Sequence, residues 1–434
     1  LNKIIGFLIT LLLINLIIPL DITAENNYNP LNGGWLEERN GVNILHVSGN
    51  NYEMGYQHGF LLKDQINQNY RAIFNIDNGE IYSYILNLWN DSIKGHIPDD
   101  YINEIQGMSD GSGRSFEDIV VFSIGFATFL FGIDCMELSA WGPATSDGKL
   151  IHMRSYDIPL YCKDLVSGVY LQENQILIVR KPDNGLLSLY SSFAGDAFCK
   201  GGINEEGIAI SCESSISPDI SLNATWFSCR ILMVLDNASN AEEAIGIMTS
   251  SKQGSSNYII SDGKKPVSYV YEEAANFSYV GTWNDDVEST HPFWEIDHVL
   301  RRKNFYIHPS TASIQRIHYD PRIYLLLGFL PSNINWFTPW RFYKTLSLEV
   351  EKLWNNLDLN NTMNILRSIY RGETDIILNL YKKFGSDPFL ACHQWVSHPL
   401  TGDFIISFAD KENQAQYNQL HNFNLFELYE SEPP

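Results

Sequence analysis

Residues 131–160, FGIDCMELSAWGPATSDGKLIHMRSYDIPL, decide how the chain reads. An apolar run leads into Cys135 and an alternating segment follows. The turn signal Ser146-Asp147-Gly148 then precedes a second strand-like segment carrying His152, Arg154 and Asp157. Two such segments joined by a turn predict a hairpin that brings Arg154 and Asp157 back toward Cys135. A thiol becomes a good nucleophile when a nearby cation favours its thiolate, and an Arg-x-x-Asp pair supplies that cation together with an acceptor to fix it.

The order Cys135, then Trp-Gly-x-Ala-Thr-x-Asp-Gly-Lys-Leu from Trp141, then His-x-Arg-x-x-Asp from His152 resembles the autoproteolytic cysteine acyltransferases and hydrolases of N-terminal-nucleophile (Ntn) type. This is the family of penicillin acyl-transferase, with acid ceramidase and bile salt hydrolase as more distant relatives. Four further segments agree, in the family's order. NYEMGYQHG from Asn51 resembles the propeptide motif, and GGINEEGIAISCESS from Gly201 resembles the Asn-Glu-x-Gly-Leu strand beside the nucleophile. NYIISDGK from Asn257 and CHQWVSHPLTGDFIISF from Cys392 resemble later sheet strands.

The resemblance implies an α+β fold, the four-layer αββα Ntn-hydrolase sandwich, and self-cleavage between Asp134 and Cys135. The thiol attacks the Asp134 carbonyl, an N-to-S acyl shift gives a thioester, and water releases a new α-amine. Such an amine, with an ordinary pKa of roughly 7.7–8, suits a general base at neutral pH. Mature Cys135 would take the acyl group of a small-molecule linear amide and pass it to water or to another amine, with no cofactor. Arg154 is expected against the sulfur, and Asp157 as an acceptor for the α-amine or for Arg154. His152 reads either as a residue lining the site or as a core histidine.

The oxyanion donors depart from the relatives. An Asn ten residues after the motif's first Asn falls, counting from Asn204, on Ser214 beside Glu213. The second Asn, of a Thr-Asn-x-Pro segment, falls at or near His291 in Ser289-Thr290-His291-Pro292. Asn257 is a third candidate. A hydroxyl, an imidazole or an amide can each donate to an oxyanion. Met136 stands where many relatives have Ser or Thr, which bears on substrate class. Asn204, Glu205 and Gly207 read as a tight turn, and Tyr156, Tyr161, Phe193 and Trp226 as an acyl pocket or as ordinary core.

The chain opens with Lys3 and an apolar run from Ile4 to Leu20. It reads as an export signal cleaved after Ala24 or, left uncleaved, as a membrane anchor formed by residues 4–20. A secreted or extracytoplasmic location follows in the first case. Residues 25–134 are expected to form a mainly helical propeptide, retained after cleavage as a partner subunit, and residues 135–434 the catalytic part. Twenty-nine basic residues against 51 acidic ones, a net charge of −22, oppose binding to nucleic acid or anionic headgroups. Of six cysteines, the five besides Cys135 admit one or two bridges or buried free thiols. His58, His152 and His291 are too scattered to argue as metal ligands.

Short runs such as GVYLQ, ILIVR, LSLYSSF and IAISCE predict strands between Cys135 and Cys212. Helical spacing covers Tyr52 to about Leu130, Ser228–Ser250 and much of Trp340–Lys383. Strands are expected again at Tyr258–Ser261, Val267–Tyr271 and around Trp395 and Ile405. Two other readings of function stay open. One is a papain-like hydrolase with His291 or His393 as base. The other is a non-catalytic binding protein of the same fold.

Overall fold

The computed structural model describes residues 29–74, 79–128, 134–316, 320–322, 337–385 and 390–433; the leader read at 1–24 lies outside them. Two sheets carry the described strands. The larger runs in the order β1 (Trp35–Arg39), β2 (Val42–Gly49), β5 (Gln175–Pro182), β6 (Ser188–Phe193), β7 (Gly201–Asn204), β8 (Ile208–Ser214), β9 (Ser256–Asp262), β10 (Val267–Glu273), β11 (Ser278–Gly281). The smaller runs β12 (Val299–Lys303), β3 (Asp134–Ala140), β4 (Ile151–Asp157), β13 (Ala391–His398), β14 (Asp403–Phe408), β15 (His421–Asn424). Pairing is antiparallel throughout except between β2 and β5.

Alternation along β3 and β4 sets the layers, because successive strand side chains point to opposite faces. Met136, Leu138, Ala140, Ile151 and Met153 pack outward against Phe342 and Leu346 of helix Phe337–Lys352 and Met363 and Leu366 of helix Leu359–Tyr370. The intervening residues face the larger sheet, where Ser139 Oγ lies 2.6 Å from Ser268 Oγ and His152 reaches Ser211 and Ser261. Between the sheets Trp395, Phe404 and Ile406 meet Ile44, Leu177, Val179 and Leu189. On the far side of the larger sheet, Ile176, Ile178, Ile208, Ile210 and Ile260 join one core with Leu232, Leu235 and the helices of 51–128. The result is four layers, α–β–β–α.

The helices before Cys135 are α1 (Asn51–Leu61), α2 (Lys63–Phe74), α3 (Glu80–Leu88), α4 (Asp99–Ser112) and α5 (Phe116–Thr128). A capping box starts α1: Asn50 Oδ1 accepts from the Glu53 amide at 3.0 Å, and Glu53 Oε2 accepts from the Asn50 amide at 2.8 Å. α1 and α4 cross with backbone touching backbone, through Gly55 and Gly59 on one and Gly107 and Gly111 on the other. A Cβ on Gly107 would stand 2.0 Å from the Tyr52 carbonyl oxygen. After β8 come α6 (Phe227–Asn237) and α7 (Ala241–Thr249), the latter capped by Asn240, whose Oδ1 accepts from the Glu243 amide.

Strands form at ILIVR, LSLYSSF, IAISCE, Tyr258–Ser261, Val267–Tyr271 and around Trp395 and Ile405, as the pattern predicts. GVYLQ does not form one. Tyr170 makes a single bridge to Lys163, and the chain then turns through a short 3-10 helix at Leu171–Asn174, whose Glu173 carboxylate accepts from the amide of the capping Tyr170. The part before Cys135 also contributes the strands β1 and β2, which helical periodicity does not disclose. Among the described residues no helix is long and apolar enough to cross a membrane.

Candidate active site

Cys135 begins the inward-facing row of β3 and is fully buried. Register places it opposite Tyr156 and places Glu137 opposite Arg154, so Arg154 lies on the same inner face one step along. Arg154 Nη2 sits 3.7 Å from Cys135 Sγ and 3.8 Å from Cys212 Sγ. Its Nη1 donates to the Lys200 carbonyl, and the guanidinium lies 5.0 Å from the centre of the Tyr156 ring. Burial pushes the Cys135 thiol well up and Arg154 pulls it down, and burial is the larger effect. Burial likewise pushes Cys212 up to about 12, against the same guanidinium.

Asp157 shares a strand with Arg154 but occupies the outer face, so it does not serve as the Arg154 acceptor that the Arg-x-x-Asp spacing suggests. Its carboxylate accepts from Ser155 Oγ at 2.6 Å and from the Tyr370 hydroxyl at 2.5 Å, with Lys303 Nζ 3.9 Å away. Two neighbours at the end of β12 hold the main chain of Cys135. Lys303 Nζ donates to the Cys135 carbonyl at 2.6 Å, and Asn304 Oδ1 accepts from the Cys135 amide at 3.2 Å. The other end of the Asn304 carboxamide donates to the Ser214 carbonyl at 2.9 Å. Neither Lys303 nor Asn304 is among the residues singled out from sequence.

The remaining sequence candidates take varied places. Ser214 meets this group through its carbonyl at the end of β8. Asn257 is buried, its amide donating to Glu213 Oε1 and to the carbonyls of Lys303 and Phe305 at 3.3, 3.2 and 2.8 Å. It braces the chain leaving β12. His291 is exposed in the loop before β12, whereas Cys135 is buried. His152 is wedged between the sheets, Nδ1 2.8 Å from Ser261 Oγ and Nε2 2.7 Å from Ser211 Oγ, its ring stacked on Trp395; burial lowers its pKa to about 3, so it is neutral. Tyr156, Phe193 and Trp226 belong to the buried core, and Tyr161 is exposed.

Two carboxyls complete the surroundings of Arg154. Glu137 is fully buried, and burial raises it to about 7 against the pull of Arg154. Glu213 is raised by burial and then by Glu137, so the two carboxyls oppose each other's ionisation. All six cysteines are buried free thiols. This decides between the two readings of their pairing.

No family model matches the chain. It is similar to an uncharacterized protein of Archaeoglobus fulgidus, 24% identical over 52% of this chain and 42% of that protein. It is also similar to protein dcd1B of Dictyostelium discoideum, 27% identical over 28% of this chain and 29% of that protein. The matches thus span less than half the length of these relatives. Among solved structures it is similar to the Caenorhabditis elegans N-acylethanolamine-hydrolyzing acid amidase ortholog, with TM-score 0.38, 16% identity, and coverage of 61% of this chain and 93% of that one. A variant of conjugated bile acid hydrolase from Clostridium perfringens gives TM-score 0.39, 15% identity, and coverage of 68% and 93%.

Proposed function

We propose that this chain is an exported, self-processing cysteine hydrolase or acyltransferase of the N-terminal-nucleophile family, acting on linear amides through an acyl-Cys135 intermediate. The observation that carries this reading is Arg154 Nη2 against Cys135 Sγ, near the start of β3 on the face that the smaller sheet turns toward the larger. Cleavage before Cys135 would free an amine beside its own thiol. That amine takes the thiol proton, the thiolate attacks the substrate carbonyl, and the proton passes to the leaving nitrogen. The Asn304 carboxamide accepts from the Cys135 nitrogen at 3.2 Å and donates to the Ser214 carbonyl, and so holds that nitrogen in place beside the sulfur. The helical and two-strand segment before Cys135 remains as a non-covalent subunit.

The papain-like alternative gains no support. His291 is exposed, and His393 sits between Ser191 Oγ at 3.0 Å and Gln175 Oε1 at 2.9 Å. Intact mass of the purified protein tests the proposal. The expected result is two fragments meeting at Asp134/Cys135 in the wild type, and a single chain without amidase activity in Cys135→Ala. Two fragments with normal turnover in that variant would refute it.

A further inference from the structure

Lys303 is a fully buried cation set against the main chain of the nucleophile rather than against its sulfur. Its Nζ is 2.6 Å from the Cys135 carbonyl oxygen. The nitrogen and oxygen of one residue lie no more than about 3.6 Å apart, which puts the ammonium within about 6 Å of the atom that cleavage would turn into an amine. We propose that Lys303 keeps the α-amine of mature Cys135 neutral, and so able to act as the base. This inference rests on the reading of Cys135 as the self-processing nucleophile.

A second positive charge at that range disfavours protonation of the amine, and low-dielectric surroundings strengthen the effect. The other charged and titratable groups around the amine divide by element. From β4 come Arg154, which faces the sulfur, Tyr156, and Asp157 on the outer face. From β8 come Cys212 and Glu213, from β3 Glu137 and the α-carboxylate that cleavage would leave on Asp134, and from β13 Cys392 and His393. The helix Leu359–Tyr370 contributes the Tyr370 hydroxyl. Asp157 would pull the amine toward its charged form, but its carboxylate is engaged by Ser155, Tyr370 and Lys303 itself. Lys303 therefore acts twice, by repelling a proton from the amine and by sharing the charge of the Asp157 carboxylate. Its Nζ also lies over the Phe342 ring, 4.9 Å from the ring centre. The amine nitrogen binds the thiol proton through its lone pair, the sulfur keeps the electron pair of the broken S–H bond and uses it on the acyl carbon, and the ammonium returns the proton to the departing amine.

Lys303 is thus a positioning residue, and its test is a titration. In the mature wild type, trace acetylation of the Cys135 amine with acetic anhydride across pH, read by mass on the fragment beginning at Cys135, is expected to give an amine pKa below the ordinary range of about 7.7–8.0. In Lys303→Met that value and the acidic limb of kcat/KM should both rise by about one pH unit, while Lys303→Arg keeps them near wild type. An amine that titrates within or above the ordinary range in the wild type overturns the proposal. So does a Lys303→Met enzyme that is slower with an unchanged pH profile. If Lys303→Met does not mature, the wild-type titration alone decides. A wild type that stays uncut at Asp134/Cys135 would instead refute the reading on which the proposal rests.

Discussion

Arg154 touches two thiols with one nitrogen and a backbone carbonyl with the other. Its charge lowers the Cys135 pKa against the larger, opposing push of burial, so removing it leaves burial unopposed. Arg154→Ala is therefore expected to move labelling of Cys135 by a thiol reagent to higher pH. Arg154→Lys should restore this only in part, because a single ammonium cannot reproduce the planar fork that reaches both sulfurs and the Lys200 carbonyl. A labelling profile identical to wild type in Arg154→Ala would remove the residue from the site. Cys135 and Arg154 were legible in the sequence because one hairpin brings them together, so spacing alone places them. Asn304 was not. It meets Cys135 from 169 residues away, through the pairing of β12 with β3, and nothing local in the sequence encodes that register. Asp157 shows the limit of spacing in another way: the pair i,i+3 is adjacent on a helix but lies on opposite faces of a strand.

Among the elements, β12 was hidden by its own composition. Its residues Val-Leu-Arg-Arg-Lys carry three consecutive charges and no apolar alternation, yet Arg301, Arg302 and Lys303 are all fully buried. Each charge has found partners: Arg301 donates to Ser347 and the Trp294 carbonyl, Arg302 pairs with Glu288 and Glu272, and Lys303 holds Cys135. Strands with short apolar runs, such as Ile176–Val179 in β5 and Ile208–Ile210 in β8, were readable because those runs pack into hydrophobic cores. The hairpin of β1 and β2 had a local signal, since Asn40-Gly41 takes positive φ values of 55° and 83°, as a tight two-residue turn requires. The α1–α4 crossing supports a sharper test. Gly107→Ala would force a methyl into the Tyr52 carbonyl, and overpacking of this kind typically costs about 1–3 kcal/mol. Its melting temperature should fall, whereas Gly95→Ala, where an added Cβ meets nothing within 4 Å, should leave it nearly unchanged. Equal melting temperatures for the two variants would contradict the close approach.

At the scale of the whole molecule, the segment before Cys135 is tied into the rest by more than its helices. β2 lies parallel to β5, and Arg180 on β5 binds Glu104 on α4 at 2.6 and 2.9 Å and Asp236 on α6 at 2.9 and 3.1 Å. Tyr101 adds a hydrogen bond to Asp236. Once cut, the two fragments are expected to migrate together on native gel filtration and to part only in denaturant. Arg180→Met strands two buried carboxyls, a loss of the kind that typically costs about 3–5 kcal/mol, and should lower the denaturant concentration at which they part. Free fragments from a native, fully cut wild type would contradict this.

The parallel β2–β5 pair has a temporal consequence. A continuous chain can lay these strands side by side because a tether keeps them at high effective concentration while the intervening helices and the β3–β4 hairpin form. If the chain is cut before Cys135 that tether is lost, and recovery from unfolding becomes a two-body search for a register first found as a one-body event. The mature protein would then persist because its escape is slow, and each copy's working life would be set by an unfolding rate rather than by an equilibrium.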